Sequence, residues 1–391
     1  MRPHRKLVVA SFVAAIAAPA TPARAGDMDP APERLYLNPR VIPDQLTCQQ
    51  VAQNLTGKGA QQFLDMHPAL VPNASSCLPN NVSWANLMSE LGYAIAPAAF
   101  RPARTTGFGG FAIGFEASFA HINAGAIDAT GTPYWQVGTR GPVDPATHQF
   151  SVVNKNPDSF LQIYTVDVRK GLPYGFELGG VLGYVANTSL WVAGGDAHWA
   201  LLEGYRTGAL GYLPDVAIGG GVRTLAGAPS FFLTTVGLDV QLSKPFTLAD
   251  SAVLTPYVSG QRLIIFADSS VVDLTPNVDP LQQCGYEGPN VPSNPYAKGP
   301  VYDGTPVCRN TLNTSSGSTI ANNSDFNNNV TFQRARIHRW RGIVGLTYRY
   351  GVLYLAGELA MDLEDPSAEN ANLGVSGSRQ WTISLGAGVM F

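Results

Sequence analysis

The chain predicts an all-β protein: a transmembrane antiparallel up-and-down β-barrel of about ten strands (alternatively eight or twelve), preceded by a small, mostly helical segment. Ten stretches alternate apolar with small or polar residues. A period of two is the spacing at which successive side chains of a strand point to opposite faces. The stretches are close to the roughly 9–11 residues that a tilted spanning strand needs. The composition agrees: 391 residues have a mean hydropathy of +0.02 and only 14% charged residues. No run reaches the roughly 18 apolar residues of a helical span.

Residues 1–25 read as an export signal. Arg2, Arg5 and Lys6 form a basic start, Leu7–Ala17 a short apolar core, and Ala23-Arg24-Ala25 a small-x-small cleavage pattern. The mature chain is expected to begin at Gly26. Loss of Arg2, Arg5, Lys6 and Arg24 takes the net charge from −3 to about −7, which argues against nucleic acid as a partner. The four cysteines fall into two local pairs, Cys48 with Cys77 and Cys284 with Cys308. In an exported chain these read as disulfides, and neither pair has metal-ligand spacing, so no metal and no cofactor are expected.

Residues 26–104 are expected to be a periplasmic segment stapled by Cys48–Cys77 and too short for a large core. Helices are predicted over Asp44–Leu55, Lys58–Leu70 and Ser83–Gly92, with Pro97 and Pro102 breaking the chain before the barrel. The barrel is expected over 105–391, with strands near 108–122, 159–170, 174–186, 193–205, 213–225, 231–243, 252–266, 338–350, 352–363 and 379–391. In the first, Phe111, Ile113, Phe115 and Phe119 share a face opposite Gly114, Glu116 and Ser118. The seventh is less clean, because Arg262 shares parity with Leu254 and Val258. If the first strand rises from the periplasm, the outside connections are 123–158, 187–192, 226–230, 267–337 and 364–378. Those inside are 171–173, 206–212, 244–251 and 351. Short turns inside and long loops outside are the pattern of such barrels. Loop 267–337 is rich in Pro, Asn, Ser and Gly, with an Asn-rich run over Asn322–Asn329, and cannot bury enough apolar surface to fold alone.

The lumenal faces collect charge: Glu116, Asp167, Arg169, Glu177, Asp196, His198, Arg223, Asp239, Arg339, Arg341, Arg349, Glu358 and Asp362. Facing lipid would cost several kcal/mol each. Both signs occur on adjacent strands, so Arg341 and Arg349 are expected to pair with Glu358 and Asp362 across a hairpin and close the lumen. Asp196-Ala197-His198 sets a carboxylate and an imidazole on one lumenal face, expected near the outer end of its strand, a spacing that suits a general-base pair. It resembles half of the omptin protease site, but no second acidic pair completes it.

The last stretch, Arg379–Phe391, places Trp381, Ile383, Leu385, Ala387, Val389 and Phe391 on one face and small polar residues on the other. An aromatic final residue on such a strand resembles the C-terminal assembly signal of bacterial outer-membrane β-barrels, carried by Trp381, Ile383, Leu385, Val389 and Phe391. Trp199–Arg206, Leu213–Ile218, Leu242–Phe246 and Leu254–Tyr257 resemble an uncharacterised bacterial outer-membrane β-barrel family of GC-rich Gram-negatives. The resemblance implies fold and place, the outer membrane, and carries no activity. The expected role is non-catalytic: a structural or surface-interaction barrel with a charge-plugged lumen, no enzyme. A narrow, weakly selective diffusion pore is the alternative, and an omptin-like protease the remote one. Expected partners are outer-membrane lipid and the outer-membrane assembly machinery, with loop 267–337 as the place for an extracellular ligand.

Overall fold

The computed structural model describes residues 28–37, 77–98, 101–128, 157–204, 211–249, 252–274 and 329–391, with short pieces at 48, 62, 65–66, 131, 133–137, 140–143, 150–152, 285–286, 306–307, 312–313 and 318–319. The expected export signal, nearly all of the first two predicted helices, the expected Cys284–Cys308 pair and the Asn-rich run up to 328 lie outside the described residues.

The ten predicted strands form, each within a few residues of its expected bounds. They are β1 Phe111–His121, β2 Phe160–Gly171, β3 Phe176–Val185, β4 Trp191–Leu202, β5 Asp215–Ala226, β6 Phe231–Ser243, β7 Ala252–Ser269, β8 Ala335–Tyr350, β9 Leu353–Asp362 and β10 Trp381–Met390. Each pairs antiparallel with its sequence neighbour, and β10 pairs with β1 from Thr382↔Ala120 to Met390↔Ala112. The sheet is therefore a closed up-and-down barrel with no free edge. Phe391 completes the seam, exchanging backbone hydrogen bonds with Phe111 at 2.8 and 3.1 Å. A short strand, Phe246–Ala249, folds back on the start of β7.

Alternation decides what the outside looks like. Ile113, Phe115, Leu178, Leu182, Leu238, Val240, Val344, Leu346, Leu355 and Leu385 are all exposed on the outer face. Aromatics bound this band on both sides. Phe176 stacks on Trp199 at 5.2 Å near one rim, and Tyr184 meets Trp191 at 5.3 Å near the other. Tyr184 lies eight positions along β3 from Phe176. That is about 27 Å along a strand, or about 21 Å of height at a tilt of about 40°, close to the apolar band of a membrane barrel. β7 and β8 continue past the second rim. There Arg262 ion-pairs with Glu369 and lies 4.7 Å from the Trp340 ring centroid, which accounts for the charge on the apolar parity of β7. No helix among the described residues is long and apolar enough to cross a membrane.

One rim carries the connections 172–175, 203–214, 244–251 and 351–352, the other 122–159, 186–190, 227–230, 270–334 and 363–380. The amino-terminal segment is not a separate piece beside the barrel. Asp29, Pro30 and Ala31 bind Ser189, Val137 and Gln136, all on connections of the 122–159 rim. Helix α1, Asn81–Ala94, descends from that rim into the lumen against β6, β7 and β8. Residues 101–106 lie toward the short-turn rim, where Thr106 N donates to Glu177, and β1 begins at Phe111. Long connections outside and a periplasmic amino-terminal segment therefore cannot both hold: the segment sits among the long connections. The Cys48–Cys77 disulfide forms as expected.

Candidate functional site: the occupied lumen

Twelve of the fourteen residues of α1 are buried, including Asn86, Ser89 and Glu90. A helix with no exposed face has to be surrounded, and the barrel wall surrounds this one. Asn80 caps it, accepting from Ser83 N at 3.1 Å. Gly92 permits the close approach: a Cβ there would stand 2.4 Å from Ile265 of β7.

At this level the inward face of the wall is apolar. Leu161, Ile163, Val185, Val192, Leu225, Leu233, Ile265 and Ile337 form one core with Trp84, Leu87, Met88 and Leu91 of α1. Trp84 stacks on Phe332 at 4.9 Å, meets Phe231 edge-on at 5.9 Å, and donates Nε1 to the Gln333 carbonyl at 3.2 Å. The Glu90 carboxylate accepts from Asn123 N (2.9 Å), Asn123 Nδ2 (2.7 Å), Tyr134 OH (3.1 Å) and Trp135 Nε1 (2.6 Å). Burial, and then Glu90 beside it, push the Tyr134 phenol well above its ordinary value, so it remains a donor. The 122–159 connection is thereby tied to the plug.

Below α1 the lumen is polar. Arg339 ion-pairs with Asp362, both side chains 1% exposed, and lies 4.4 Å from the Tyr93 ring centroid. It also donates to the Ser89 carbonyl at 3.1 Å. Arg341 donates to Gln261 Oε1 at 2.6 Å and to the Pro97 carbonyl. Glu358 accepts from Tyr257 OH at 2.9 Å. Tyr257 lies flat across Gly345, where a Cβ would stand 2.1 Å from its ring, so only glycine leaves that path open. Asp196 receives two bonds from Arg223 at 3.0 Å each, and Asp167 pairs with Arg169 at 3.0 Å. Nearer the short-turn rim, Arg101 ion-pairs with Glu177 at 3.7 Å and Arg104 with Asp215 at 3.3 Å. Between these groups remains a cavity of about 30 Å³, lined by Arg101, Glu116, Asp167, Arg169, Asp196 and Arg223. That is about the volume of one water molecule.

By strand parity all thirteen predicted lumenal residues face inward. The expected hairpin pairing is different in detail. Asp362 takes Arg339, Glu358 takes a tyrosine, Arg341 serves the threaded chain, and Arg349 donates to the Gly351 carbonyl at the rim. Cross-strand register explains this: Arg341 faces Asp362 in the ladder, but the Pro97 carbonyl and Gln261 occupy its donors. Asp239 accepts from Gln241 at 2.8 Å. Asp196 and His198 do not act on each other. Asp196 sits at mid-strand bound to Arg223, and His198 lies toward the short-turn rim with Nε2 3.2 Å from the Ala103 carbonyl. They are not at the long-connection end of β4. Glu90, Tyr93, Pro97, Arg101, Gln261 and Gln380 escaped sequence reasoning. A signal for some of them existed: Leu263-Ile264-Ile265-Phe266 breaks alternation into a continuous apolar run, the mark of a strand covered on both faces.

No known protein family matches the chain, and no curated protein matches it. Among solved structures, it is similar to Ail, the attachment invasion locus protein of Yersinia pestis, at 8% identity and a TM-score of 0.24, in a complex with the heparin analogue sucrose octasulfate. That match covers 73% of this chain and 99% of Ail. A second Ail structure gives 7% identity, the same coverage and 0.22. Outer-membrane expressed OmpT of Vibrio cholerae gives 8%, 72% and 97% coverage, and 0.13. These superpositions add nothing to what the strand pairing establishes.

Proposed function

We propose that this chain is an integral outer-membrane barrel closed by its own amino-terminal segment, serving surface interaction and neither diffusion nor catalysis. The observation that carries this reading is the course of residues 81–98 and 101–106 down the lumen, with room for about one water in the cavity at mid-height. Short turns and Phe391 then lie on the periplasmic side, and the long connections outside. The segment around 28–37 and 77–80 shares the outer face with them, held by bonds such as Asn80 Nδ2 to Asp128 at 2.6 Å. A cap built from several tethered strands of chain is suited to presenting a fixed surface. Asp196 binds Arg223 and His198 the Ala103 carbonyl, which speaks against the two acting as a general-base pair.

Refolded full-length protein should stay silent in a planar bilayer across a wide voltage range. A steady open state would overturn the closed-barrel reading in favour of a pore. Glu33→Cys should react with an impermeant maleimide in intact cells, above the background of the parent chain. Reaction only after outer-membrane permeabilisation would place the segment in the periplasm and sink the threaded topology. Asp196→Ala and His198→Ala should leave peptide hydrolysis at background.

A further inference from the structure

The lumen is roomier at its short-turn mouth than at mid-height. A cavity of about 130 Å³ lies there between the threaded chain at Pro102–Thr106 and the inner faces of β2, β7, β8, β9 and β10. Three arginines line it, Arg104, Arg169 and Arg349, and none of the lining residues is a carboxylate. Arg169 and Arg104 are balanced by Asp167 and Asp215 behind the lining. Arg349 is not balanced: among the described residues its one hydrogen bond is from Nε to the Gly351 carbonyl at 3.0 Å, which leaves both terminal nitrogens of the fork uncommitted.

A second observation points into the same cavity. Thr347, two residues before Arg349 on the same face of β8, is 8% exposed, and its Oγ1 has no protein hydrogen-bond partner. Thr106 Oγ1, across the cavity on the threaded chain, is likewise without one. Buried hydroxyls are ordinarily paired, because leaving one unmade costs about 1–3 kcal/mol. A planar fork with two free donors and two unpaired hydroxyls on residues of the same lining suit an oxygen anion, since guanidinium matches carboxylate and phosphate in a bidentate way. The volume limits the ligand. Drug-sized molecules occupy about 300–1,000 Å³, whereas about 130 Å³ admits one anionic group and a short stem.

We propose that the short-turn mouth of the barrel is a binding site for a single carboxylate or phosphate group. Arg349 and the hydroxyls of Thr347 and Thr106 hold its oxygens, and Arg104 and Arg169 flank it. The site does not require the lumen to be open or shut, so its test is independent of conductance.

Inorganic phosphate and acetate are titrated separately into refolded full-length protein, against chloride at equal ionic strength, with calorimetry and the unfolding temperature as readouts. Saturable binding of either supports the site, and the one that binds names the chemistry. Arg349→Gln should weaken it about 10- to 100-fold, the loss expected for charge-assisted hydrogen bonds. Arg349→Lys should fall between, and Arg334→Gln, exposed near the opposite rim beside Asp268, should bind as the parent. Should Arg349→Gln fail to fold by heat-modifiability, Thr347→Val carries the test with an expected several-fold weakening. No saturable effect of either anion beyond chloride overturns the proposal, as does undiminished binding by folded Arg349→Gln.

Discussion

The two halves of the lumen are filled by different physics. Toward the long connections, inward aliphatic residues meet the apolar sides of α1, and the few polar groups, Glu90 above all, are saturated with donors. Toward the short turns, the wall is charged and the filler is non-helical chain: its Arg101 and Arg104 form ion pairs with the strands, and its Pro97 carbonyl accepts a hydrogen bond from Arg341. A helix satisfies its own backbone and so suits apolar walls; non-helical chain without a strand partner does not, and needs polar walls. The secondary structure of the plug therefore follows the chemistry of the wall beside it.

That contrast is open to measurement. The largest effect is expected at the apolar end: Trp84→Ala removes the ring packed on Phe231 and Phe332 and should cost about 3–5 kcal/mol, read as a lower unfolding temperature in detergent. A loss below about 1 kcal/mol would mean that α1 does not hold the wall. At mid-lumen, Asp196→Ala strands the Arg223 guanidinium, but a water-sized cavity adjoins it. The cost should be about 1–3 kcal/mol, less than the about 3–5 of a fully buried broken pair. Equal losses at Trp84 and Asp196 would erase the distinction between the two halves.

Arg349→Ala should change stability by no more than about 0.5 kcal/mol, because the side chain is exposed at the mouth and makes no ion pair among the described residues. A loss comparable to that of Asp196→Ala would restore the hairpin pairing expected from charge alone. The smallest effect belongs outside the barrel. Hydrogen bonds from Arg262 hold the Glu369 carboxyl below its ordinary value. An acid depressed in the folded state adds stability above its unfolded value of about 4.3 and loses it as pH falls through the folded value. The stability difference between parent and Arg262→Gln should thus be present at neutral pH and vanish in acid. A difference that persists through the acid range would assign Arg262 to packing on Trp340 instead.

Strand number, strand bounds and the facing of each charge were legible because a period of two is local. Ile113 or Glu116 declares its face through its neighbours two residues away. The partners were less legible. Arg341 stands opposite Asp362 in the ladder, yet Pro97, more than two hundred residues earlier, takes one of its donors. His198 and Asp196 share a face, yet Ala103 and Arg223 separate their roles. The position of α1 was half legible: Asn80, Ser83 and the apolar run from Trp84 mark a helix, while the destination of that helix depends on a cavity formed by ten distant strands.

By itself the sequence determined a closed barrel with an apolar exterior, since alternation and the pairing of consecutive strands leave few other ways to satisfy the backbone in lipid. Only the tertiary structure decided what fills it. A ten-stranded wall with inward glycines encloses more space than its own side chains occupy. Whether that space holds water or polypeptide depends on volume and on long-range contacts, neither of which has a period that a sequence displays.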